Sequence, residues 1–181
     1  MRIKKVITAF GLVGALAVTG CTTSLNEPLL VFPEVAAKTP LMSVSSIKVN
    51  DLRDNKTLAI INGEAAPANP ELTKVLTDWL NASIGTSPRG RLSMEVNLLS
   101  YASYVKQDAM HFTTESVMEW QVQINGPRGY NWNKPYQATI NQTGAMAMSK
   151  REIEAHLNKM AATLLNRTLK DMEFKGALSQ Q

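Results

Sequence analysis

The chain has 181 residues, a single cysteine, and 19 basic against 15 acidic side chains, for a formal charge of +4. That length and an ordinary apolar content suit one domain, and one cysteine excludes an internal disulfide framework. Three of the basic residues, Arg2, Lys4 and Lys5, fall in the first five positions. Without them 16 basic residues face 15 acidic ones, and no electrostatic case for nucleic acid or anionic lipid survives.

After the basic start, residues 6–18 carry no charge, and the run closes on Val18-Thr19-Gly20-Cys21. A charged flank, a short apolar run and small residues before a cleavage point form the layout of a secretory signal. The run is 13 residues long, short of the roughly 20 a helix needs to cross a bilayer core. An aliphatic residue and two small ones before Cys resemble the bacterial lipobox, in which the thiol is acylated and the signal is cut before it. Free cysteines are otherwise mostly buried, and a nucleophilic one needs a partner base. Neither His111 nor His156 stands in a known signature around Cys21. The reading is a signal peptide over 1–20, a lipidated N-terminus and tether over 21–40, one α+β domain over 41–175 and a frayed tail over 176–181.

The tether contains three prolines at Pro28, Pro33 and Pro40, and an apolar "LLVF" over 29–32. That short run is expected to dock as an edge strand of a few residues, bounded by proline. In "SVSSIKVNDLRD" Ile47 and Val49 alternate with polar neighbours, which predicts a strand. "TLAII" over 57–61 predicts a second, with 54–56 as the turn between them and Asn62-Gly63 closing it. Helix one is expected to be capped by Asn69 with Pro70 in its first position. Leu72, Val75, Leu76, Trp79 and Leu80 form its stripe, and Gly85 its stop.

Three more strands follow. Leu92, Met94, Val96 and Leu98 alternate with polar residues, and Leu98-Leu99 marks a bulge. Met118, Trp120, Val122 and Ile124 form the second, with a turn over 125–129. Tyr130, Trp132, Tyr136, Ala138 and Ile140 form the third, at whose edge Pro135 belongs. Helix two opens with the capping box Ser149–Glu152. Its stripe holds Ile153, Leu157, Met160, Leu164 and Thr168, widened by Ala161, Leu165, Leu169 and Met172. One-faced strands need a cover and amphipathic helices a floor. The fold class that follows is an α+β two-layer sandwich, a mostly antiparallel sheet with two helices on one face.

Chemistry finds little to stand on. No H-x-x-x-H, G-x-S-x-G or phosphate loop occurs, so no catalytic, cofactor or metal residues are assigned and no enzyme is expected. "AMAMS" over 145–149 reads as a core edge entering a helix. The most distinctive polar group is Asp51-Leu52-Arg53-Asp54. It reads as a solvated turn with a surface ion pair, or else as a recognition corner in which Asp51 and Arg53 touch a partner.

The lipobox, Asp51-Leu52-Arg53, the Asn69-Pro70 helix, the three strands and "PYQATINQTGAMAMSKREIEAHLNKMAATLLNRTLKDM" together resemble the YajG family of bacterial envelope lipoproteins. Tyr136, Ala138 and Gly144 before the last helix belong to that likeness, whereas the loop after helix one lacks a family-like Gly-Tyr pair. The resemblance implies a small α+β domain tethered to the outer membrane of a Gram-negative bacterium and facing the periplasm, without established enzymatic activity. It also implies contact with the lipoprotein processing and sorting machinery, where Thr22 beside the lipid favours export over inner-membrane retention. The expected role is binding another envelope component; the alternative is an auxiliary subunit of a lipid-transport or cell-wall assembly machine.

Overall fold

The computed structural model describes residues 26–34 and 43–179. Its elements are β1 (Val44–Asp51), β2 (Ala59–Ile61), β3 (Glu64–Ala65), α1 (Leu72–Ile84), β4 (Leu92–Gln107), β5 (His111–Asn125), β6 (Asn131–Ala145), α2 (Lys150–Lys170) and α3 (Met172–Leu178). The architecture is the α+β sandwich expected, built on one mixed six-stranded sheet.

Three long strands form its frame. β4 pairs antiparallel with β5 from Ser93↔Asn125 to Gln107↔Phe112, and β5 with β6 from Asn125↔Asn131 to His111↔Ala145. The β4–β5 register slips between Leu98 and Ser100, so the adjacent leucines do mark a bulge. Before it Leu92, Met94, Val96 and Leu98 point into the core; after it Tyr101 and Val105 do. One added residue keeps a 16-residue strand facing the same core on both sides of the bulge.

The other edge of β4 is shared. β1 runs parallel to its first half, Val44↔Leu92 to Asp51↔Leu98, and β2 parallel to its second, Ala59↔Ser103 to Ile61↔Val105. These two short parallel pairings make the sheet mixed, while its long ladders are antiparallel, as expected. Residues 54–56 are not a reversal between β1 and β2, because both strands run the same way along β4 and the chain only steps outward between them. The reversal comes later, at Asn62 and Gly63, both with positive φ, between β2 and β3.

The regular turns of helix α1 begin at Leu72, two residues after the expected position, and Asn69 still serves the N–H group of the turn before it. Its Oδ1 accepts the Glu71 N–H and its Nδ2 donates to Leu29 O. Helix α1 lies along β1, where Thr77 Oγ1 accepts the Val49 N–H at 3.3 Å and so covers part of that outer strand edge. Helix α2 opens with the full Ser149–Glu152 capping box. It packs over β4, β5 and β6, receiving the Tyr101 hydroxyl at Leu157 O and the Trp120 N–H at Thr168 Oγ1.

Two expectations at the ends change. Residues 26–34 form a strap rather than an edge strand, laid between the helices. Leu29 and Val31 are fully buried. The Leu30 and Phe32 N–H groups go to Glu154 and Asn158 of α2, while Leu29 O and Glu34 O accept from Asn69 and Trp79 on the α1 side. Prolines and a lack of partners on the sheet rule out a ladder here, so helix side chains take the backbone groups instead. At the C-terminus the stripe does not continue through Met172, which is exposed. Asp171 ends α2 and caps a third helix, whose Phe174, Ala177 and Leu178 are buried. The fraying expected from residue 176 therefore does not describe residues 176–178, and Phe174 stacks obliquely on Trp132 of β6 at 6.1 Å.

Candidate functional site

Cys21, the expected acylation residue, lies outside the described residues. Asp51 and Arg53 are brought together, but not at the surface. Arg53 is 3% exposed. Its Nε and Nη2 hold both Asp51 carboxylate oxygens at 2.9 Å, and its Nη1 donates to Tyr101 O at 3.1 Å and to Thr57 O at 3.4 Å. The reason lies in the topology. Between the end of β1 and the start of β2, β4 has no strand beside it, and Tyr101 lies in that gap; the guanidinium supplies the missing donor there. The ion pair expected on the surface has its Arg53 side buried and its Asp51 side half-buried. Burial pushes the Asp51 carboxyl upward, but the Arg53 hydrogen bonds and charge outweigh this and hold it below its ordinary value. What this corner offers to solvent is Leu52, Asp54, Asn55 and Lys56.

A broad concavity lies at the opposite edge of the sheet, between the free edge of β6 and the last turn of α2. It is a groove of about 790 Å³ lined by Lys134, Pro135, Tyr136, Gln137, Thr139, Arg167, Lys170 and Asp171. Pairing along β6 is unbroken, so successive residues alternate between bonding to β5 and facing outward. Pro135 has no N–H to give β5, which places the odd-numbered residues in the outward class. The Gln137 carbonyl, in the same class, accepts from Arg167 Nη1. Thr139, Asn141 and Thr143 therefore turn backbone groups toward solvent beside the groove. They also present uncharged polar side chains on the open face of the sheet.

At the groove's end sits Asp171. Lys134 Nζ lies 2.8 Å away, and the Tyr136 hydroxyl and the Glu173 N–H donate to the same carboxylate. The Lys134 bond, the Tyr136 bond and the helix-capping N–H bring its pKa down to about 2. Burial and then the Asp171 hydrogen bond push the Tyr136 phenol well above its ordinary value. Tyr136 is therefore a neutral donor, and Arg167 and Lys170 are the positive groups at the rim. Of these residues the sequence pattern marks Tyr136 alone, as a strand position and not as part of a site. They lie on a strand and a helix some thirty positions apart, and only the packing of α2 on β6 brings them together.

Among the described residues no group of three or more His, Cys, Asp or Glu is placed to hold a metal ion, and no helix is long and apolar enough to cross a membrane. His156, expected on no site, is buried with its Nε2 unpaired, and burial lowers its pKa, with Lys159 adding to the effect.

A mixed six-stranded sheet covered by helices on one face, with polar and charged residues such as Lys48, Glu115 and Thr139 on the other, defines a two-layer α+β domain. The chain belongs to the family described as uncharacterized lipoprotein, Lipoprotein_16, whose sequence profile matches residues 34–179. No curated protein matches the chain. Among solved structures it is similar to protein XCC0632 from Xanthomonas campestris, of the DUF330 family. That likeness has a TM-score of 0.44 and 10% identity, over 76% of this chain and 90% of that one.

Proposed function

We propose that the protein is a non-enzymatic lipoprotein of the outer membrane, of the YajG type, acylated at Cys21. Its periplasm-facing domain binds an extended, acidic segment of another envelope component along the β6–α2 groove. Membership of a lipoprotein family and the Val18-Thr19-Gly20-Cys21 ending support the anchor, and Thr22 supports export to the outer membrane. The observation that carries the binding reading is the union in one groove of an unpaired strand edge with the cationic Arg167 and Lys170. An added strand takes its affinity from main-chain hydrogen bonds and its selectivity from side chains along the groove. Basic residues beside the edge select acidic partners and speed their approach.

A photo-crosslinking residue at position 139 in the full-length protein tests this. It should capture a discrete envelope partner, and Arg167→Glu with Lys170→Glu should abolish that adduct while the free energy of unfolding changes by no more than about 1 kcal/mol, about 0.5 for each exposed residue. Capture that survives the double reversal overturns the groove as the binding surface.

A further inference from the structure

We propose that one end of the domain, formed by the β4–β5 turn and the β6–α2 connection, rests on the lipid surface with the Met110 and Met146 side chains in its interfacial layer. The inference rests on the reading of Cys21 as acylated and adds to it an orientation for the whole domain.

The end is apolar where it is most prominent. Met110 is 78% exposed and Met146 69%. They are neighbours, since the Met146 N–H donates to Met110 O at 3.0 Å. The support beneath them is fixed. Asp108 Oδ1 accepts the N–H groups of Met110 and His111 at 2.8 and 2.9 Å, and Gln107 Oε1 accepts that of Met148 at 2.8 Å. Met146 is held at φ +70°, an arrangement unfavourable for any residue but glycine or asparagine. The fold thus presents two large apolar side chains side by side on a braced tip.

The path of the chain puts the anchor at this same end. Glu27 pairs with Lys150 at the first turn of α2. From there the strap runs along α2 in the helix's own direction, meeting Glu154 through Leu30 and Asn158 through Phe32. Traced backward, it leaves the domain beside the β6–α2 connection. Asn26 is five positions along the chain from Cys21, a reach of about 18 Å at full extension. The opposite end, where the α1–β4 loop lies near the β5–β6 turn, is about 50 Å away along a 16-residue strand.

The charges around the tip nearly cancel, with Lys106, Lys150 and Arg151 against Glu27, Glu64, Asp108 and Glu152. The contact is therefore apolar rather than electrostatic. Two methionines would not hold a free domain to a bilayer, but the acyl chains already do that. A tether this short keeps the tip at high effective concentration near the surface, so a weak patch is enough to set orientation.

The single cysteine makes the test direct, because acylation leaves no free thiol. Met110→Cys, Met146→Cys and, at the far end, Thr86→Cys would each be spin-labelled in the full-length lipidated protein. The proteins would be reconstituted in vesicles of phosphatidylethanolamine and phosphatidylglycerol. The readout is label accessibility to oxygen, which enters lipid, and to a water-soluble nickel chelate. Labels at 110 and 146 should be reached by oxygen and shielded from the chelate, at low and high salt alike, while the label at 86 stays open to the chelate. A reporter at His111→Cys should lose its shielding when Met110→Glu and Met146→Glu are added. Mass spectrometry of the N-terminal peptide separates the two ways of failing. An unmodified Cys21 overturns the anchor, and the orientation with it. An acylated Cys21 with labels at 110 and 146 as open to the chelate as that at 86 overturns the orientation alone.

Discussion

At the scale of single residues, Arg53 shows how a topological gap is closed by one side chain. Its five donors are rigidly arranged; here they meet a carboxylate and two backbone carbonyls that no strand reaches. Truncation would strand the Tyr101 carbonyl in the core and leave Asp51 without its main partner. Breaking a buried pair in this way costs about 3 to 5 kcal/mol, similar to the cavity left by truncating Trp79, also about 3 to 5 kcal/mol. Arg53→Ala should therefore lower the melting temperature about as far as Trp79→Ala, as measured by thermal unfolding of both variants. A shift near zero would return Arg53 to the role of a surface residue. The Asp-x-Arg pattern was visible in the sequence, but its meaning was not. Two charges at a strand end look alike whether the next strand continues beside a third or leaves a gap, and that depends on pairing with β4 nearly fifty residues away. Gly144 was also visible as part of a family-like stretch. Its cause is local and physical: a Cβ there would collide with the ring of Phe112, its cross-strand partner.

At the scale of elements, period decided most of what could be read. β4, β5, β6 and α2 each offer four or more apolar positions at a single spacing, enough to outvote local composition. The Ser149–Glu152 box fixed the start of α2 to the residue because its chemistry is confined to four positions. Short elements fared differently. β3 has two residues and no period to show. Helix α3 is separated from α2 only by Asp171, which a sequence stripe passes over. The strap reads as tether because its partners are helix side chains, which no local pattern announces. Its worth can be measured. Leu29 is fully buried between the helices while Phe32 points outward. Leu29→Ala should cost about 2 to 5 kcal/mol, and Phe32→Ala less than about 0.5 kcal/mol. Equal small shifts in chemical denaturation would show that the strap is a passive tether.

At the scale of the whole molecule, ionisable groups sit where separate pieces of the fold are joined, and this sets how the domain responds to acid. Asp171 links β6, α2 and α3 and is held near pKa 2. Asp51 closes the β1–β2 gap with its pKa lowered, and Glu152, capping α2, is lowered first by the Ser149 N–H. A carboxylate whose pKa is lower in the folded chain stabilises it fully above the unfolded value, about 4. That contribution is lost as pH falls toward the folded value. His156 acts at a higher pH with the same outcome. Its folded pKa lies below 6.5 because burial disfavours the charged ring, so the unfolded chain takes up the proton first and stability declines as pH falls below about 6.5. Acidification should thus lower the melting temperature in two stages, one that begins as pH falls below about 6.5 and another below about 4. His156→Gln should flatten the first stage and leave the second. Asp171→Asn should start from a less stable protein and lose less of its stability below pH 4, because the charge that acid would neutralise is already gone. A melting temperature that is level down to pH 5 in the wild type would mean that the imidazole takes a proton as readily inside the fold as outside it. A second stage of equal depth in Asp171→Asn would move the acid sensitivity away from the β6–α2–α3 joint, to the Asp51–Arg53 gap.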